Sequence, residues 1–177
     1  QGLALAERAL AIRESYQDRP GIAKSLDSLS EAYSAQGNWS AALAALGKSL
    51  DIRRELGVNH AVAEGLNNIA VVYQAQGSYE QAIRFLNQAL ALNRARVGSE
   101  SLTAEIQTHL GEVFLLEGQL TRSAQVLRES VAASEGAGYR EQAANAHVAL
   151  GRTLAARVEL TAARAQFDRI PVQMGTS

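Results

Sequence analysis

The chain has no cysteine. Disulfides and thiolate-held metals are therefore excluded, and the composition fits a reducing, cytoplasmic compartment. Proline is nearly absent: Pro20 and Pro171 are the only two, one near each end, so helices between them run unbroken by it. Aromatic residues make up 5% and lysine occurs only at Lys24 and Lys48. With a formal net charge of −1, no basic face is expected for nucleic acid or an anionic membrane. No apolar run approaches the ~20 residues that span a bilayer, and no signal peptide opens the sequence. The first residue is Gln rather than Met, which suggests a segment of a longer protein. Arginine in place of lysine, with abundant alanine, points to a GC-rich bacterial genome.

What the chain has is alanine, leucine and a period. Hydrophobic residues make up 47% of it, and alanine favours helix and lets helices approach closely. Leu29, Ile69, Leu110 and Leu150 follow one another at steps of 40, 41 and 40 residues. One residue on stand Ser30, Ala70, Gly111 and Gly151, all small. Tyr33, Tyr73, Phe114 and Leu154 follow, then Gly37, Gly77, Gly118 and Val158 at a turn position. The next helix carries Trp39, Tyr79, Leu120 and Leu160, then Ala42, Ala82, Ser123 and Ala163, then Leu46, Leu86, Leu127 and Phe167. Apolar residues three or four apart mark one helical face. Each unit reads as two helices joined at a glycine, with Ser78 and Gln81 expected to form a capping box in the second unit. Gly57, Gly98 and Gly138 mark the breaks between units. A lone helix pair cannot bury both its faces, so the units must stack.

This frame resembles the tetratricopeptide repeat, in the long-unit form of kinesin light chains and bacterial signalling proteins. The resemblance implies an all-α, right-handed superhelical solenoid of antiparallel helix pairs. The expected array has the second helix of a truncated unit at 2–16 and full units at 22–56, 62–97 and 103–135. A degenerate unit follows at 141–170, where Val158 and Ile170 replace small residues, and a tail at 171–177.

No catalytic constellation accompanies the frame. His60, His109 and His147 lie in different units, and there is no His-x-x-x-His, phosphate loop or nucleophile elbow. Neither an enzyme nor a cofactor or metal is expected. Tyr33, Tyr73 and Trp39 fall on the repeat period and read as core. Arg53, Arg54, Arg84, Arg94, Arg96 and Arg128 fall on second helices and read as a solvated outer face.

In the family it resembles, first helices line a concave groove. Carried over by position, the groove holds Lys24, Asp27, Ser28, Glu31 and Ser34, then Glu64, Asn67, Asn68, Val71 and Gln74. The third unit supplies Glu105, Thr108, His109, Glu112 and Leu115, and the fourth Asn145, Val148, Ala149, Arg152 and Ala155. Asn67 and Asn68 match the Asn-Asn pair of kinesin-light-chain-like repeats, where each carboxamide both donates to and accepts from a peptide backbone. Five carboxylates against Lys24 and Arg152 argue for a basic or neutral peptide or helix as ligand and against a clamp for a terminal carboxylate. The leading expectation is a protein-interaction module of a bacterial signalling protein. A spacer or self-association unit, pairing through exposed array ends, and a sensor for a small peptide signal stay open beside it.

Overall fold

The computed structural model describes residues 2–95 and 98–167, with side chains described to residue 161. All elements among them are helices: α1 (Gly2–Ser15), α2 (Arg19–Ala35), α3 (Trp39–Glu55), α4 (Asn59–Ala75), α5 (Tyr79–Arg94), α6 (Glu100–Leu116), α7 (Leu120–Ala137) and α8 (Arg140–Phe167). The expected tail at 171–177, with Ile170 and Arg96, lies outside the described residues, as do the side chains of Ala163 and Phe167.

Local chemistry sets the helix ends. Asp18, Asn38 and Ser99 each accept a bond from a first-turn amide, at 3.0, 3.2 and 3.2 Å. Ser78 occupies the cap position of α5 but makes no side-chain cap bond, so the expected capping box does not form. Gly37, Gly57, Gly77, Gly118 and Gly138 have φ between 70° and 81°, a left-handed conformation that costs a side-chain-bearing residue about 1–2 kcal/mol. Gln17 fills the corresponding place after α1, at φ 54°. At Gly98, the break between the second and third units, a Cβ would lie 1.8 Å from the Asn93 carbonyl oxygen.

The fourth unit departs from expectation. Instead of two helices turning at Val158, α8 runs unbroken from Arg140 to Phe167. A β-branched residue resists the left-handed turn that glycine supplies in the earlier units, and the helix continues.

Every helix packs on the next, while α2, α4, α6 and α8 also come close in sequence; among the described residues the backbones of α1, α3, α5 and α7 stay further from one another. Neighbours that meet on one side and part on the other make a curved stack, with the first helix of each pair on the inside. The main core runs through α3, α4, α5 and α6, with Leu46, Leu66, Leu86, Ile106, Val113 and Phe114 buried in it. Each fully buried Leu contributes about 2 kcal/mol. Tyr33, Trp39 and Tyr73 pack against this core, as the period requires. A smaller cluster of Ala23, Leu26, Leu29, Ala45 and Ile52 receives Leu3, Ala6 and Leu10 of α1. Small residues let the helices of a pair close up. Ala42, Ala82 and Ser123 are fully buried, and a Cβ on Gly111 would stand 2.4 Å from Leu127.

Candidate functional site: the inner face

Polar groups hold the units in register, and they do so at the repeat period. Arg13 Nη1 donates to the Gly21 carbonyl and to Ser25 Oγ, both at 2.8 Å. Forty residues on, Arg53 Nη1 donates to the Ala61 carbonyl at 2.6 Å and to Glu64 at 3.1 Å, and its Nη2 pairs with Asp27. At the next step Asn93 Nδ2 donates to the Ser99 carbonyl at 2.8 Å and to Thr103 Oγ1 at 2.9 Å. Each last-turn residue of a second helix thus hooks the first turns of the following helix. Ser134, one step further, is too short to reach, and its buried Oγ has no partner.

This corrects the sequence reading of Arg53. It is 6% exposed and lies between two carboxylates because α3 turns it toward α2 and α4. Asp27 also accepts from Ser49 Oγ at 2.7 Å. Burial pushes its carboxyl above the usual carboxylate range, while Ser49 and Arg53 pull the other way.

Asp27, Asn67 and Thr108 occupy one position of the repeat, and none projects freely. Asn67, expected to meet ligand, is 1% exposed. Its Nδ2 donates to Glu105 at 2.9 Å, and its Oδ1 lies 2.9 Å from His109 Nδ1. With the amide hydrogens directed at Glu105, Oδ1 accepts, so His109 carries its hydrogen on Nδ1. Burial pushes the His109 imidazole below its ordinary value, against Glu105 and Glu112, which pull it up. Thr108 is buried, with Oγ1 2.9 Å from the Ala104 carbonyl and 3.0 Å from Ser130 Oγ. Gln74 donates to Glu112 at 3.5 Å, and Arg152 lies 3.7 Å from the same carboxylate. Glu64 pairs with His60 at 3.1 Å as well as with Arg53. Lys24 and Glu31 are exposed on α2 and Asn68 is partly buried on α4; none of the three makes a side-chain hydrogen bond or ion pair among the described residues.

Between the first helices of successive units, two recesses open on this face. One, between α2 and α4, is lined by the apolar Leu46, Val71, Val72 and Ala75 together with Asp27, Ser30, Glu31, Ser34 and Asn68. The other, between α6 and α8, is polar, with Glu105, His109, Glu112, Glu141, Gln142 and Asn145 around it. Glu141 and Gln142 were not singled out from the sequence, because they sit ahead of the positions carried over from the frame. Among the described residues no three His, Asp or Glu side chains are placed to hold a metal ion, and no helix is long and apolar enough to cross a membrane.

The tetratricopeptide repeat family model matches residues 1–55, 42–95 and 61–136. No curated protein sequence matches the chain. Among solved structures, a kinesin-light-chain-like protein of nearly identical TPR-like repeats from Podosopora anserina is 21% identical, with a TM-score of 0.59, over 98% of this chain and 88% of that one. BtubC (BKLC) from P. vanneervenii is 18% identical at a TM-score of 0.71, over 89% of this chain and 73% of that one. A Rap protein complexed with competence and sporulation factor is 13% identical at a TM-score of 0.61, over 89% and 59%. At these identities the likeness is one of fold.

Proposed function

The chain belongs to the tetratricopeptide repeat family, and on that premise we propose that it is a protein-interaction module holding an extended peptide along its inner face. The supporting observation is the convergence of α2, α4, α6 and α8 into one concave wall on which polar groups and two recesses alternate. The fold is shared with a Rap protein solved with competence and sporulation factor, which agrees with this fold holding a partner. A bacterial signalling protein is the proposed setting, and the cysteine-free composition supports a cytoplasmic one.

Ligand charge follows from which carboxylates lack a cation. Arg53 holds Asp27 and Glu64, and Arg152 stands by Glu112. Glu31, Glu105 and Glu141 have no ion-pair partner among the described residues, and they leave the face negative toward its ligand. Basic and neutral peptides are favoured over acidic ones. The test is fluorescence polarisation with labelled basic, neutral and acidic peptides, titrated at about 0.01 M and about 1 M salt, between which the screening length shrinks from about 30 to about 3 Å. Basic peptides should bind best at low salt, and the double substitution Glu105→Gln, Glu141→Gln should flatten that salt dependence. Preference for acidic peptides moves the interaction to the outer face.

A further inference from the structure

We propose that the recess between α2 and α4 is where the ligand is selected, and that it takes a Leu, Ile or Val side chain next to a lysine or arginine of the peptide. The proposal rests on the groove reading above and adds a site and a residue preference to it. Several polar side chains between α4, α6 and α8 are occupied with each other: Asn67 with Glu105 and His109, Gln74 with Glu112, and Arg152 with Glu112. Around this recess Asp27 is taken up by Ser49 and Arg53, but three further polar groups are not. Ser34 Oγ is buried with no hydrogen-bond partner. The Asn68 carboxamide and the Glu31 carboxylate at the rim make no bond among the described residues. Three unengaged polar groups thus surround an apolar floor that includes the buried Leu46 and Val72.

Size and charge narrow the occupant. The recess measures about 130 Å³, whereas an apolar cavity of ~150 Å³ admits benzene. One branched aliphatic side chain matches this size, whereas a Tyr or Trp exceeds it. Asn68 offers a donor and an acceptor to the backbone of the seated residue. Glu31, exposed at the rim, attracts a cation on the residue beside it.

The test pans a phage-displayed library of random peptides against the whole chain, then measures binding of the enriched peptides. Three variants on exposed positions are compared, each checked by a thermal melt: Ala75→Phe to fill the recess, Glu31→Gln to remove the rim charge, and Asn145→Trp to block the α6/α8 recess. Enriched peptides should share an aliphatic–basic pair. Ala75→Phe should weaken them about tenfold or more, the scale of one aliphatic side chain denied its pocket. Glu31→Gln should weaken them about two- to fivefold, and should leave copies carrying glutamine in place of the basic residue unchanged. Peptides that ignore Ala75→Phe but are lost in Asn145→Trp overturn this site and leave the groove reading standing. Peptides that ignore both, or no enrichment at all, overturn the two together. Enrichment of aliphatic residues with no basic neighbour, and no effect of Glu31→Gln, overturns the cation preference.

Discussion

Two neighbouring asparagines with one chemistry have different work here. Asn67 is buried and bridges α4 to α6 through Glu105 and His109, so Asn67→Ala leaves buried partners unmade and should cost about 1–3 kcal/mol. Asn68 makes no such bond, and Asn68→Ala should stay within about 0.5 kcal/mol of the parent. Urea denaturation of the two variants compares them directly, and equal losses would contradict the placement of Asn67. The sequence could place the pair on the inner side of the frame but not tell them apart, because the 100° between successive helical residues turns only one of them inward. His109 adds a pH signature. Burial lowers its folded value, so an unfolded chain takes the proton first, near pH 6.5. Its contribution is therefore complete above about pH 6.5 and is lost as the pH falls toward the lowered folded value. Asp27, raised by burial, acts oppositely at the acid end: its contribution is present at low pH and is lost as the pH rises from about 3.9 through its folded value. Stability measured from pH 7 downward should decline less steeply in His109→Gln than in the parent; equal slopes would remove His109 from that role.

At the level of helices, the frame was legible because it repeats: a leucine, a small residue, an aromatic and a glycine, returning at 40 or 41 residues, leave little choice of fold. The break at Val158 was readable as a departure but not as a continuous helix, since the loss of a stop signal is compatible with a looser turn as well as with unbroken helix. The hooks between units were missed for a different reason. At one repeat position Arg13 and Arg53 give way to Asn93, and a charged side chain near a helix end reads as solvated until a carboxylate is seen opposite it. Arg53 shows what such a hook is worth. It joins α3 to α2 through Asp27 and to α4 through Ala61 and Glu64, and Arg53→Leu strands a largely buried carboxylate. The expected cost is about 3–5 kcal/mol, with much of it recovered when Asp27→Leu is added. A double-mutant cycle by chemical denaturation measures this, and simple additivity would mean the pair is not coupled. A close approach tests the packing in the same way. Ala82 is fully buried where α5 meets its neighbours, so Ala82→Trp should cost about 1–3 kcal/mol or more.

At the scale of the molecule, helices among the described residues contact only those one or two places away in the chain, so stability is built from neighbour terms and need not be uniform. The main core is shared among α3, α4, α5 and α6, whereas α1 has no buried residue at all. Leu5, Ile12 and Tyr16 at α1 and its end are 68%, 51% and 80% exposed, and the helix is attached by Leu3, Ala6 and Leu10 against the smaller cluster together with the Arg13 hook. Amide hydrogen exchange should therefore be slowest in α4, α5 and α6 and fastest in α1, with α1 opening at denaturant concentrations that leave the centre intact. The same apolar residues favour contact between copies. If α1 is the contact, its amides should become more protected as protein concentration rises, and Leu5→Glu should abolish that rise without altering protection in α5. Uniform exchange along the chain would show one cooperative unit in place of a graded array. Protection of α1 that ignores concentration would show that its exposed leucine, isoleucine and tyrosine do not drive association.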